Sequence, residues 1–169
     1  CAPHAPQSET SRSALIHLGQ MAGEIAIAGD RKTAVVPAGW SISRITEHLW
    51  AHGLSLPNQG DVNPQALAGA MATGTHGTGN DLGSPSTMAR GFRLMDAQGD
   101  LHWCDAQQQP DLFAAQRLSL GLLGVATQVR VAVVPAFHLA ESVEARPMEE
   151  VYAAYDGWSA QNRHAEFWV

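Results

Sequence analysis

One stretch of this sequence holds the residues best suited to chemistry: LPNQGDVNPQALAGAMATGTHGTG, residues 56–79. Gly69, Gly74, Gly77 and Gly79 let a backbone come close to a ligand and adopt positive φ. Thr73, Thr75 and Thr78 add hydroxyls. Successive backbone N–H groups in such a loop form an anion-binding concavity. A phosphate-bearing or flavin-type ligand is a natural partner; the alternative is a glycine-rich turn joining two elements. Two familiar phosphate motifs fail here. No Lys lies in the stretch, which excludes a P-loop, and Gly77, Gly79 and Gly83 miss the G-x-G-x-x-G spacing by one residue.

Other reactive side chains point less clearly. His76 sits inside the loop, where a lone histidine is more often a hydrogen-bonding surface residue than a catalyst. His48 and His52 are four apart on a predicted helix, but Glu47 precedes them, so the His-Glu-x-x-His zinc pattern is not met and no third ligand is visible. They read as solvated. Cys104 ends a predicted strand near His102 and reads as a buried, inert thiol. A second glycine stretch, residues 119–127, carries Gly121 and Gly124 between a helix and a β-branched strand. It reads as a helix cap and turn, or as backbone lying flat against a planar ligand.

These segments need elements to position them. Turn residues 29–32 between apolar runs at 24–28 and 33–37 predict a β-hairpin. Ser41 as N-cap, the spacing of Ile42, Ile45 and Leu49, and Gly53 at C′ predict a helix over 42–52. Asn63-Pro64 predicts a helix opening there and running to about Met71. Strands are predicted over 14–18, 54–57, 88–95, 101–104, 125–133, 138–145 and 165–169. Asp111 caps a predicted helix over 112–118, and Arg146-Pro147 opens one from Met148 to about Ala160. Along 125–133, Val125, Thr127, Val129, Val131 and Val133 share one face.

Composition narrows the class. The chain has 169 residues, 45% hydrophobic and 15% charged, so it is globular and poor in charge. A net charge of −6 without basic runs argues against nucleic acid, and no apolar run is long enough to span a membrane. Two cysteines set no disulfide framework and no metal site; a reducing compartment is the default, with one bridge left open. The opening without Met and the stop inside a predicted strand suggest part of a longer protein. A domain boundary is expected near 136–140, with 1–137 as one unit and 138–169 as the start of another.

Three blocks, residues 56–79, 83–104 and 111–137, resemble the sugar-1,4-lactone oxidase and alditol oxidase branch of the vanillyl-alcohol-oxidase flavoprotein family. The run TGTHGTG at 73–79 is the most specific part. The resemblance implies an α+β fold: a PCMH-type FAD-binding domain followed by the start of a substrate cap. It implies FAD contacts at Pro57, Asn58, Gly60, Asp61, Gly69, Ala70, Thr73, Gly74, His76, Gly77, Thr78 and Gly79, and at Ser119, Gly121, Gly124 and Val125. It also implies an FAD-dependent oxidoreductase of the cytoplasm. Such an enzyme takes a hydride from the CH–OH of a sugar lactone or alditol and is reoxidised by O2 or another acceptor. Some relatives associate with membranes. The family's N-terminal Arg-Gly-x-Gly-His-Ser loop is not found here, so no catalytic residue is assigned and His76 is not the flavin-linked histidine. The competing expectations are an incomplete, catalytically inert FAD-binding fragment and a structural glycine-rich domain without flavin.

Overall fold

The computed structural model describes residues 15–169. Ala14 and the loop expected over 1–13 lie outside the described residues, as does Cys1. Twelve elements follow in order: β1 (Ala26–Ile27), β2 (Thr33–Pro37), α1 (Ile42–Ala51), β3 (Leu54–Ser55), α2 (Leu67–Ala72), α3 (Pro85–Met88), β4 (Ala89–Met95), β5 (Leu101–Cys104), α4 (Pro110–Gln116), β6 (Val125–Ala132), β7 (Val134–Pro135) and α5 (Met148–Gln161). Five strands form an antiparallel sheet in the order β1-β2-β6-β4-β5, and β3 pairs with β7 apart from it. The α+β class is therefore as expected.

Local chemistry explains the elements read correctly. Arg31 takes positive φ at the turn of the β1–β2 hairpin, where Asp30 accepts from the Lys32 N–H. The Ser41 hydroxyl accepts from the Arg44 N–H at 3.2 Å and caps α1, while Gly53 follows it at φ +67°. Ile42, Ile45 and Leu49 then face the core together with Val36, Leu67, Met71, Phe92, Val129 and Val131. The Phe113 ring of α4 meets Phe92 at 6.0 Å, which seats that helix beside β4.

Four expectations are corrected. The helix expected from Asn63-Pro64 begins later, at Leu67. Residues 63–66 are instead drawn into backbone bonds with the chain around Ser41: Ile42 N–H donates to the Gln65 carbonyl and Ser43 N–H to the Asn63 carbonyl. Val125 does not share the inward face of Val129 and Val131. A register shift at Thr127 flips the alternation, so that Ala126 turns inward opposite Leu94 and Val125 lies opposite exposed Met95. Helix α4 starts at Pro110, with Gln109 at the N-cap position in the left-handed region and making no side-chain cap bond, and Asp111 lies inside its first turn. The strands expected over 15–18, 138–145 and 165–169 form no ladder among the described residues. An alternating pattern is only a strand once a partner supplies the other half of its hydrogen bonds.

Removing the Ser41 cap leaves a helix N–H unpaired. We expect S41A to destabilise the fold by about 1 kcal/mol, read as a lowered denaturant midpoint with unchanged slope.

Candidate functional site

The site is built on α2. The chain on either side of Ser41 exchanges backbone bonds with the entry to this helix: Leu67 N–H donates to the Trp40 carbonyl and Ala68 N–H to the Ala38 carbonyl. This orients α2 so that Leu67, Ala70 and Met71 fill the core while Ala66, Gly69 and Thr73 are exposed. Gly69 is unusual. Glycine inside a helix costs about 0.5–1 kcal/mol relative to alanine. Yet a Cβ built on it meets nothing within 4 Å, so packing does not require it. It borders an open groove of about 510 Å³ that also touches Gly39, Ser41, Arg44 and Pro64. The Arg44 guanidinium stacks 3.5 Å over the Trp40 ring on this side.

The threonine-glycine loop follows. Gly77 is a packing requirement, since a Cβ there would run into the Gln59 carbonyl oxygen, whereas one on Gly60 would meet the His76 carbonyl oxygen at a tight 3.1 Å. Asn58 is buried and holds this crossing together. Its amide donates at 3.3 Å to the carbonyls of both Thr78 and Gly83, and its own carbonyl accepts from the Gln59 N–H. Thr73 Oγ1 donates to the Gly69 carbonyl at 3.1 Å. His76 is exposed with its ring Nδ1 near the Gly77 carbonyl, and Asp61 is exposed as well. Among the described residues, the backbone N–H groups from His76 through Asn80 find no backbone acceptor. Such a run of donors suits an oxygen-rich ligand.

The second glycine stretch meets the first. Leu120 N–H donates to the Ala72 carbonyl at 3.1 Å, and Leu118 packs against Gly74, which sits at φ +71°. Buried Ser119 accepts from the Gly121 N–H at 3.3 Å. Gly121 has φ +77° and open space where a Cβ would be, whereas Gly124, at φ +109°, is pressed against the Met95 carbonyl. Val125 begins β6. Leu118, Leu120 and Leu122 are exposed beside these glycines. The structure thus brings together two segments that lie about fifty residues apart in sequence. Ala70 faces the core and Pro57 lies at the loop's base, where its carbonyl takes a bond from Arg163.

Reading the sequence alone missed Arg163 and His164. The Arg163 guanidinium donates to the Pro57 carbonyl at 2.6 Å and stacks on Phe137, and the His164 ring touches Thr78. Spacing carried no signal for them, because His164 stands 86 residues beyond Thr78. The remaining candidates stay outside the site. The His48 and His52 rings stack on each other at 4.9 Å, and no cluster of three metal-ligating side chains exists among the described residues. Cys104 is a free, fully buried thiol whose pKa burial pushes up, and His102 is engaged 2.7 Å from Asp96.

An FAD site needs close backbone approach, donors for phosphate and ribityl oxygens, and apolar surface for flat rings. Open space at Gly69 and Gly121, the N–H run without backbone acceptors among the described residues and the exposed leucines meet these needs. Residues 4–105 match the FAD binding domain family, and the chain belongs to that family, whose cofactor is FAD. The L-gulonolactone oxidase of Mus musculus is 32% identical over 153 residues, which is 90% of this chain and 35% of that protein. The L-gulono-1,4-lactone dehydrogenase of Mycobacterium tuberculosis (strain H37Rv) is 36% identical over 134 residues, 79% of this chain and 31% of that one. The crystal structure of 6-hydroxy-D-nicotine oxidase from Arthrobacter nicotinovorans superposes with a TM-score of 0.61 at 25% identity, covering 66% of this chain and 25% of that chain. The chain therefore spans about a third of the length of the two curated relatives.

Two glycines separate packing from ligand approach. G69A should leave the ligand-free protein as stable as wild type, or up to about 1 kcal/mol more stable, while weakening FAD binding. G77A should cost about 1–3 kcal/mol of stability before any ligand is added, because the Gln59 carbonyl must move. Thermal melts with and without FAD read both. Mass-spectrometric thiol labelling should leave Cys104 unmodified in the native protein and reach it only on unfolding.

Proposed function

We propose that this chain forms the glycine-rich part of the FAD site of an oxidoreductase acting on the CH–OH group of a sugar-1,4-lactone or an alditol. The observation that carries it is the Leu120–Ala72 backbone bond, which holds the two glycine stretches against each other. Two relatives that cover most of this chain are named as gulonolactone oxidase and gulonolactone dehydrogenase, which supports a lactone substrate and leaves the oxidant as O2 or another acceptor.

In this reading Gly69, Thr73, Thr78 and Gly121 line the cofactor through open space or hydroxyls, while Gly74, Gly77 and Gly79, whose Cβ positions face protein atoms, line it through their backbone. Asn58, Gly60 and Ser119 hold the lining in shape through the bonds and contacts described above. Pro57, Asp61, Ala70, His76, Gly124 and Val125 complete the neighbourhood. FAD, when bound, supplies the two-electron chemistry by accepting the hydride. The protein's share is orientation. N–H groups of residues 76–80 and threonine hydroxyls hold oxygen atoms in place, and the exposed leucines exclude water from the apolar side. Residues 1–137 belong to the FAD-binding domain in this reading, and 138–169 to the beginning of the substrate cap. No helix among the described residues is long and apolar enough to cross a membrane.

Expression of the whole protein that carries this sequence tests the proposal. We expect a yellow protein with the visible flavin bands, bleached anaerobically by L-gulono- or D-arabinono-1,4-lactone or by an alditol. A folded, colourless protein that takes up no FAD would sink the reading. A yellow protein that none of these substrates bleaches would sink its substrate half alone.

A further inference from the structure

We propose that His164 is a positioning residue for the flavin site: it holds the Thr78 hydroxyl so that its hydrogen is free to donate to the ligand. The inference rests on the FAD reading above. The His164 Nδ1 lies 3.0 Å from Thr78 Oγ1 and 3.2 Å from the Thr78 carbonyl oxygen. A carbonyl oxygen only accepts, so a bare Nδ1 would set two lone pairs against each other there. Nδ1 therefore carries the hydrogen and shares it between both oxygens of Thr78. The hydroxyl is thereby an acceptor toward His164, and its own hydrogen points elsewhere. Thr73 provides the contrast. Its hydroxyl hydrogen is taken by the Gly69 carbonyl, so Thr73 offers a ligand only lone pairs.

The neighbourhood fixes this geometry from several sides. Asn58 Nδ2 donates to the same Thr78 carbonyl. Arg163, next in the chain to His164, donates to the Pro57 carbonyl at 2.6 Å, with Phe137 beneath its guanidinium. The Arg163 carbonyl lies against Gly79, which at φ +105° has no side chain to push it away. The segment beyond α5 thus clamps the loop at Pro57, Thr78 and Gly79 together. A half-buried histidine set against the ligand loop, itself anchored by its neighbour, fixes a hydroxyl rotor that would otherwise turn freely.

The test is an FAD titration of the apo form of the whole protein, followed by flavin fluorescence and by the visible flavin band. Wild type, H164A, H164N, T78V and the H164A/T78V pair are compared. H164A and T78V should each weaken FAD binding about tenfold, and the pair should lose no more than either alone. The amide nitrogen of H164N replaces Nδ1, so that variant should stay within about threefold of wild type. The visible band should shift in H164A and T78V and return in H164N, a signature that loss of bulk stability does not produce. FAD affinity in H164A equal to wild type, or losses that add in the pair, overturns the proposal. Should H164A fail to fold, T78S against T78V decides: tight binding by T78S and weak binding by T78V supports it, and equal affinities overturn it. A folded wild type that binds no FAD refutes the flavin reading itself, which is distinct from a wild type that binds while H164A is unaffected.

Discussion

The reciprocal backbone exchange between residues 38–43 and 63–68 is the constraint on which the site depends. Each partner uses the other to satisfy groups that a helix start leaves open. Asn63 and Gln65 carbonyls take the first N–H groups of α1, and Ala38 and Trp40 carbonyls take the first N–H groups of α2. Neither helix is capped wholly from within its own segment. Two short helices that would be marginal alone therefore start in a fixed mutual orientation. That orientation decides which face of α2 is buried, and hence that Gly69 and Thr73 look outward.

The same economy explains what could be read from residue types. Helix α1 was legible because cap, apolar spacing and terminal glycine lie within one window. The β1–β2 hairpin was legible because its turn residues carry the conformational demand locally. Helix α5 was legible from its opening proline and length. The start of α2 was not, because the backbone groups that displaced it, the N–H groups of Ile42 and Ser43 and the carbonyls of Ala38 and Trp40, belong to a partner segment twenty to thirty residues away. Val125 was misplaced because a bulge at Thr127 changes the phase of β6, and one extra residue leaves no periodic trace.

The site itself was half legible. Glycine and threonine content marked both stretches, but composition cannot distinguish a glycine that packs from one that stays open. Gly77 and Gly124 are occupied by carbonyl oxygens of the protein, whereas Gly69 and Gly121 have space before them. Only the folded surroundings of each glycine tell the second pair apart. Arg163 and His164 were invisible for the same reason, since their partners are brought to them by the fold alone.

The low charge of the chain fits a site of this design. A cluster of ionised groups would bind phosphate strongly but would be costly to bury beside an apolar ring system. Backbone N–H groups and hydroxyls instead offer partial charges already fixed in direction, with little solvation to lose. Their weakness is that each must be aimed. A backbone donor is aimed by packing such as Gly77 against Gln59, and a hydroxyl is aimed only by whatever bonds its oxygen. Thr73 is aimed by its own helix and Thr78 by a residue from beyond α5. A site built from dipoles rather than charges must therefore recruit distant segments to hold its rotors, and the contact between residues 163–164 and the 57–79 loop follows from that requirement.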